Sequence, residues 1–151
     1  MSDTYRQTQG RKVVSRASAH ELGSVSDLLF DAREGSVTGL VLGSGRKARI
    51  VDWAKVSGFG PDAVMVGDDA DVREPAGERE EQACSGKLGL VGSRVLSEKG
   101  NELGTLDDIV FDPADGRVLG LVVGDREMPA GALLGAGLYA AVVSADQDTS
   151  A

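Results

Sequence analysis

The sequence predicts an all-β protein built from two small β-barrels in tandem. The stretch ELGSVSDLLFDAREGSVTGLVLG at residues 21–43 recurs at residues 102–124 as ELGTLDDIVFDPADGRVLGLVVG, with 12 of 23 positions identical. Glycine is abundant, with 21 residues against four prolines, which is typical of tight turns and bulges between strands. Hydrophobic residues make up 41% of the chain and aromatic residues only 4%, so the cores must be mostly aliphatic. An internal repeat of this length indicates two similar structural units.

The first copy predicts a meander of strands joined by short turns. A β-branched run at residues 11–17 is the first strand, and residues 22–31 form a long second strand after a glycine. The segment AREG at residues 32–35 is a tight turn, and residues 36–43 return as the partner strand. A short helical turn at residues 53–56, a Gly-x-Gly turn and a closing strand complete the unit.

The second copy repeats this course after residue 88. Its first strand is predicted at residues 90–96, its hairpin turns at Asp115-Gly116, and its helical turn falls at residues 130–134. Alignment of the two copies continues to the end of each unit, with Trp53 of the first copy opposite Ala130 of the second.

The repeats and the composition between them define the predicted domain boundaries. The segment between the copies has seven acidic residues and little apolar content, as expected of a flexible linker without apolar anchors. The predicted regions are an N-terminal arm at 1–10, repeat 1 at 11–67, an acidic linker at 68–87, repeat 2 at 88–145 and a flexible tail at 146–151.

The repeated pattern resembles the PRC-barrel domain, a family named for the cytoplasmic domain of the photosynthetic reaction centre H subunit. The resemblance rests on G-x-V-x-D-L-L-F-D…G-x-V-x-G-L-V-L in the first copy, followed by IVDWAKVSGFGPDAVMV. Asp52-Trp53 stands where the family often has Pro-Trp, whereas the second copy has Met128-Pro129 followed by Ala130. A similar domain closes a ribosome-maturation factor. The resemblance implies small β-barrels that act as adaptors on larger assemblies.

Charge and targeting features limit the classes of function. The formal net charge is −8, with +2 on residues 10–66 and −6 on residues 88–151. This acidic balance argues against a general nucleic-acid binder, which needs a basic face. There is no long apolar run and no apolar leader, so a cytoplasmic protein without membrane insertion is expected.

Candidate catalytic and metal-binding residues have a structural interpretation that we favour. Asp27, Asp31, Asp108 and Asp112 recur at matched positions, but an aspartate at the end of a strand commonly caps a turn. His20 is the only histidine, and it is expected in an exposed turn, where it cannot build a Ser-His-Asp site. No catalytic residue, metal ligand or cofactor is therefore predicted.

Three further features of the sequence do not support a binding or catalytic site. GSGRKA at residues 43–48 resembles a dinucleotide fingerprint, but a strand rather than a helix follows it. The acidic run at residues 69–80 lacks the glycine and the ligand spacing of an EF-hand. Cys84 has no second cysteine for a disulfide or a zinc site, and an exposed thiol there would only form an intermolecular disulfide on oxidation.

Two groups of residues are candidate contacts. The basic cluster Arg46, Lys47 and Arg49 could meet RNA, an acidic protein or the acidic linker, with an ordinary solvated loop as the favoured interpretation. Leu119 and Leu121 lie in a strand that is apolar on both faces, so we expect the hairpins to pack on each other as a pseudo-twofold pair, with Leu119 in the contact. Either packing between the repeats or formation of a homodimer would bury the second apolar face of this strand.

These observations lead to a non-enzymatic adaptor or scaffold that binds an unidentified protein partner. The alternative is a factor associated with RNA processing or ribosome assembly, which the overall charge disfavours. An enzyme is the third class, and no constellation of residues supports it.

Overall fold

The computed structural model describes residues 2–85, 90–137 and 139–148 of the chain. These residues form a set of strands with two α-helices and several short 3-10 turns. The strands are β1 (Asp3–Thr4), β2 (Lys12–Ser15), β3 (Glu21–Asp31), β4 (Ser36–Leu42), β5 (Arg49–Asp52), β6 (Val56–Phe59), β7 (Ala63–Val66), β8 (Arg94–Ser97), β9 (Glu102–Phe111), β10 (Val118–Val123), β11 (Arg126–Pro129), β12 (Leu133–Ala136) and β13 (Ala141–Val143). The helices are α1 (Tyr5–Thr8) and α2 (Gly77–Cys84).

The two repeats have the same sheet topology. Repeat 1 has the strand order β5-β4-β3-β2-β7-β6, and repeat 2 has β11-β10-β9-β8-β13-β12. In each unit the first strand runs parallel to the last one, and the other pairs are antiparallel. The tandem all-β architecture predicted from the duplication is therefore confirmed. The first strand of repeat 2 is shorter than predicted, because β8 begins at Arg94.

The core is aliphatic and continuous across the two repeats. Leu40 and Val64 of repeat 1 and Leu106 and Leu121 of repeat 2 belong to one buried cluster. Each such side chain contributes roughly 1.5–3 kcal/mol when it is fully buried. Because this cluster contains residues of both units, the two repeats share their main core.

The hairpin turns join the two repeats by backbone hydrogen bonds. The Val37 N–H donates to the Gly116 carbonyl at 2.7 Å, and the Val118 N–H donates to the Gly35 carbonyl at 2.8 Å. These donors and acceptors are aligned pairs in the duplication. The two hairpins therefore pair about a pseudo-twofold axis, like the self-complementary interface of a symmetric dimer.

The N-terminal arm adds a strand to repeat 2. In β1, Asp3 lies opposite Phe111 and Thr4 lies opposite Val110, in an antiparallel register with β9. The arm is thus part of the sheet of the second repeat, although the next residues of the chain lead into the first.

Helix α1 contacts aligned aspartates of both repeats. The Arg6 N–H donates to Asp108 Oδ1 at 3.0 Å, and the Tyr5 hydroxyl hydrogen-bonds with Asp27. The Tyr5 ring also packs against Phe30, with 6.4 Å between ring centroids. The arm therefore fastens the two repeats together.

The acidic segment does not behave as the unanchored linker that its composition predicts. Within residues 68–85 there is a 3-10 turn at Asp69–Asp71, an isolated bridge between Arg73 and Ile50, and helix α2. Ala83 and Cys84 of α2 pack in a second apolar cluster with Val41, Ala48 and Ile50. The expectation of an exposed thiol is also wrong, because Cys84 is only 8% exposed. Residues 86–89 lie outside the described residues.

A three-residue ionic cluster holds helix α2 against repeat 1. The Arg73 guanidinium lies 2.9 Å from an Asp52 carboxylate oxygen and 2.7 Å from a Glu80 carboxylate oxygen. These hydrogen bonds lower the pKa of Asp52 and of Glu80. Asp52 belongs to β5 and Glu80 to α2, so Arg73 ties the helix to the sheet.

The predicted flexible tail is partly structured. A 3-10 turn spans Ala145–Asp148, and Arg126 Nη1 donates to the Gln147 carbonyl at 2.8 Å. Residues 149–151 lie outside the described residues.

Candidate binding site: the groove between the repeats

A groove of about 730 Å³ opens between the two repeats on the side of β3. One wall is formed by the end of β3 and its turn, and the opposite wall by β12. Helix α2 closes a third side. We call this feature the inter-repeat groove. Its lining comprises Asp27, Leu28, Leu29, Phe30, Asp31, Ala32, Arg33, Arg79, Gln82, Ala83, Leu90, Leu134, Gly135, Ala136 and Gly137.

On the other side of the pseudo-twofold axis, aromatic rings pack in the aligned region and leave a smaller groove of about 500 Å³. Trp53, Phe59 and Phe111 pack with centroid separations of 5.3 Å, 6.4 Å and 5.6 Å. Phe111 is consequently fully buried there. Aromatic pairs at these distances stabilise their contact by about 0.5–1.5 kcal/mol beyond the burial of area. The rings narrow this side without closing it, because Trp53 and Phe59 also line the smaller groove together with Asp112 and Pro113.

The inter-repeat groove is larger than the groove on the aromatic side, and the second repeat has alanines where the first has two of these rings. Ala130 aligns with Trp53, and Ala136 aligns with Phe59. Phe30, the counterpart of Phe111, is left 9% exposed. The smaller side chains at these two positions leave more open volume between the repeats on this side.

One edge of the groove is a strand edge that carries no partner strand. Strand β3 pairs with β2 only as far as Ser24, and no strand of the described chain pairs with its outer edge at residues 29–31. The corresponding edge of β9 is the one that pairs with β1. On β3 a side chain meets the edge instead, because Arg79 Nη2 donates to the Phe30 carbonyl at 2.7 Å.

The two carboxylates of the groove are engaged within the protein. Asp31 Oδ1 accepts from the N–H groups of Arg33 and Glu34 at 2.8 Å and 3.2 Å. Burial raises the pKa of Asp27, although its hydrogen bonds with Tyr5 and with the Leu28 N–H act in the opposite direction. Burial, together with the nearby charge of Asp27, also raises the pKa of the Tyr5 hydroxyl.

The two guanidiniums of the groove have no such carboxylate partner. Arg33 and Arg79 form no ion pair with any described residue within 4.0 Å. Arg79 uses a single N–H group on the Phe30 carbonyl, and Arg33 is exposed at the turn. Because a guanidinium carries five N–H donors, both retain capacity for an acidic ligand.

The contact residues predicted from the sequence lie elsewhere. Arg46 and Lys47 are exposed in a 3-10 turn at Gly45–Lys47, and Arg49 approaches Glu74 of the acidic segment at 3.9 Å. Leu121 is a core residue with 1% exposure. Leu119 is 39% exposed, so it does not form a buried centre of the inter-repeat contact, and its role in binding a partner stays a prediction.

The repeated aspartates have structural contacts. Asp112 Oδ1 accepts from the Ala114 N–H at 2.9 Å, which matches the cap that Asp31 forms on its own turn. Asp108 accepts from the Ile109 N–H at 2.9 Å as well as from the arm. Among the described residues, no group of three or more His, Cys, Asp or Glu side chains is placed to hold a metal ion. His20 is exposed, as predicted.

Sequence reasoning missed the residues that make the groove. Arg33, Arg79 and Leu134 are ordinary surface residues in the sequence, and only the fold brings them together. The one available signal was the pair of differences between repeats, in which Trp53 and Phe59 align with alanines.

No helix of the described chain is long and apolar enough to cross a membrane.

Comparison with known proteins gives one family. The family model described as PRC-barrel domain matches residues 2–73 and 90–144, which cover most of both repeats. No curated protein matches the chain. The two matched segments agree with the two sheets of identical topology.

Proposed function

Because the chain belongs to the PRC-barrel domain family, we propose that it is a non-enzymatic adaptor that binds a protein partner through the inter-repeat groove. The observation that carries this proposal is the difference between the two sides of the pseudo-twofold axis. One side is narrowed by aromatic packing, whereas the other leaves a larger groove with both polar and apolar lining, beside a strand edge that no described strand pairs with. Concave surfaces that combine apolar area with a few polar groups are typical binding sites.

Leu134 supports a macromolecular partner. Its side chain lies on the wall of the groove and is 52% exposed. Burial of this leucine by a partner would favour binding, since buried apolar area contributes about 25 cal/mol per Å². The exposed leucine and the open strand edge together form a surface suited to a protein rather than to a small polar metabolite.

The alternative function is association with RNA or ribosome assembly. The exposed basic turn that contains Arg46 and Lys47 favours it, because such a turn can contact phosphate. Against it stand the net charge of −8 and the absence of an exposed aromatic stacking platform among the residues that line the groove.

The test is capture of partners from cell extract by the immobilised full chain, with and without nuclease. We expect capture that survives nuclease and is lost in Leu134→Glu, which places a charge on the groove wall. Leu119→Glu is the matched control, since Leu119 is another exposed leucine of repeat 2 that does not line the groove.

Three outcomes would contradict the proposal. Capture that disappears with nuclease would favour the RNA alternative. Capture that is lost in Leu119→Glu but not in Leu134→Glu would place the binding surface on β10 instead. A stoichiometric zinc or calcium ion held by Asp27, Asp31 or their counterparts would argue against a purely non-enzymatic role.

A further inference from the structure

We propose that the inter-repeat groove binds an extended peptide segment of the partner, which pairs with the outer edge of β3 and inserts a large apolar side chain next to a carboxylate. This inference rests on the proposed function, because it specifies the kind of segment that an adaptor of this type would bind. Its recognition would combine backbone pairing, an apolar pocket and an ion pair.

The first argument is that the molecule already shows strand addition at the equivalent edge. Strand β1 lies on β9 with Thr4 opposite Val110 and Asp3 opposite Phe111. The aligned positions on β3 are residues 29 and 30, and they line the groove without a partner strand in the described chain. Unpaired strand edges are templates for an added strand. The pseudo-twofold relation therefore identifies an extended segment as the occupant.

The second argument is the space beside this edge. On the aromatic side, the rings of Trp53 and Phe59 pack next to β9 and Phe111 and leave a groove of about 500 Å³. On the opposite side, Ala136 stands in place of Phe59, and the groove that it lines together with Phe30 is larger, at about 730 Å³. A large apolar side chain of a peptide on β3 would take the place of the missing rings. Aromatic anchors in such pockets dominate the binding energy of many interfaces.

The third argument is charge complementarity. Asp27 and Asp31 are engaged by groups of the protein itself, whereas Arg33 and Arg79 have no carboxylate partner among the described residues. A carboxylate in the peptide would form charge-assisted hydrogen bonds with these guanidiniums. The chain supplies a precedent, because Asp3 of the added strand β1 pairs with Arg11 at 2.7 Å.

The experiment selects ligands from a phage-displayed library of random seven-residue peptides on the immobilised full chain. We expect enrichment of sequences with a large apolar residue within two positions of Asp or Glu. The most enriched sequence is synthesised and its affinity is measured by fluorescence titration. N-methylation of the alternate backbone amides whose N–H groups pair with β3 should weaken binding at least about tenfold.

Three variants of the protein locate the binding site and test its charge preference. Ala136→Phe copies Phe59 into the groove and should weaken peptide binding at least about tenfold. Ala54→Phe adds the same side chain at an exposed position of repeat 1 outside the groove, and it should leave the affinity unchanged. Arg33→Glu should weaken binding of acidic peptides and favour basic ones.

The proposal is overturned if no sequence is enriched, if Ala136→Phe binds the peptide as tightly as the native chain, or if backbone N-methylation has no effect. Self-association of the chain that Ala136→Phe abolishes would also overturn it, because a second copy would then be the occupant. These failures differ from failure of the proposed function, since nuclease-resistant capture that Leu134→Glu abolishes would persist if the partner bound the groove in another way.

Discussion

Gly116 and Gly35 occupy aligned turn positions but have different surroundings. Both have positive φ, +79° and +64° respectively, which disfavours any residue with a Cβ atom. A Cβ atom on Gly116 would lie 2.9 Å from Trp53 Cε2 and 3.1 Å from the Val37 carbonyl oxygen, whereas one on Gly35 would meet nothing within 4 Å. Trp53, which is present in only one repeat, supplies the closest of these contacts.

The first prediction follows from this pair of glycines. Gly35→Ala should lower the free energy of unfolding by about 1–2 kcal/mol, through backbone strain alone. Gly116→Ala should cost about 1–3 kcal/mol more, because its methyl group also overlaps Trp53. Urea denaturation of the two variants measures both losses. Equal losses would contradict the close packing of Trp53 on this turn.

A second set of variants isolates the role of Trp53. Trp53→Ala removes the atom that the new methyl group would meet, so it should cost less stability in the Gly116→Ala background than in the native chain. The cycle of single and double variants measures this coupling. No coupling should appear between Trp53→Ala and Gly35→Ala.

The second prediction concerns the pH dependence of Asp27. Burial raises its pKa in the folded chain above the value in the unfolded chain, so ionisation destabilises the fold. The cost is absent at low pH, where both states are protonated, and is fully present above the folded pKa. Asp27→Asn keeps an oxygen for Tyr5 and the Leu28 N–H but has no charge. Its stability relative to the native chain should therefore increase from about pH 3 to about pH 7.

Denaturant unfolding at several pH values checks this trend. Asp62→Asn, at an exposed position of repeat 1, is the control for the general effect of removing one negative charge. A stability difference for Asp27→Asn that falls with rising pH would show that the hydrogen bonds to the carboxylate outweigh its burial.

At the level of elements, helix α2 depends on contacts that are distant in sequence. Only Ala83 and Cys84 of this helix are buried, and they meet the outer face of the repeat 1 sheet at Ala48 and Ile50. The Arg73 cluster with Asp52 and Glu80 supplies the remaining attachment. A short charged helix of this kind is not stable alone.

The third prediction is that Arg73→Gln loosens α2. The loss of its ionic hydrogen bonds should lower the free energy of unfolding by about 1–2 kcal/mol, since the cluster is partly exposed. Cys84 should then react faster with a thiol reagent such as DTNB, because burial protects it and raises its pKa in the native chain. The exposed Arg46→Gln is the control, and equal Cys84 reaction rates in both variants would exclude the role assigned to Arg73.

These elements show how far the sequence predicts the fold and where it fails. The repeat and its apolar, β-branched runs between turns predict the strands of both units, because strand pairing within each hairpin is local and set by turns such as Asp115-Gly116. Helix α2 was not predicted, because its stability comes from Arg73 and Ile50 rather than from its own apolar content. The groove was not predicted either, because it depends on which side of the pseudo-twofold axis lacks aromatic rings.

Leu119 illustrates the same limit. The strand around it is apolar on both faces, which predicts a covering partner. In repeat 1 the outer face of the sheet is covered by α2, and the residue aligned with Leu119 is the exposed Thr38. Leu119 remains 39% exposed, so the pattern identified an apolar surface but not the part of the molecule that would cover it.

At the scale of the whole molecule, three features unite the repeats: the shared core, the paired hairpin turns and the N-terminal arm. The hydrogen bonds of Val37 and Val118 cross between repeats, and β1 belongs to the sheet of repeat 2 although it begins the chain. Each unit has roughly 60 residues, a size at which burial is marginal. Separation of the two repeats would also expose Phe111, which is completely buried in the intact chain.

The last prediction is that the repeats are not independent. Residues 88–151 expressed alone lack β1 and the rings of Trp53 and Phe59, so the fragment should aggregate, dimerise or unfold at a lower denaturant concentration than the full chain. A monomeric fragment with the midpoint of the full chain would show that the repeats are separate units. Mixing the 88–151 fragment with a fragment of residues 1–85 should yield a 1:1 complex by size-exclusion chromatography, because the second fragment restores the missing strand and rings. Gly116→Ala in the 88–151 fragment should weaken this complex, whereas Gly124→Ala, at a turn with the same φ of +64° as Gly35 and with nothing within 4 Å, should weaken it much less.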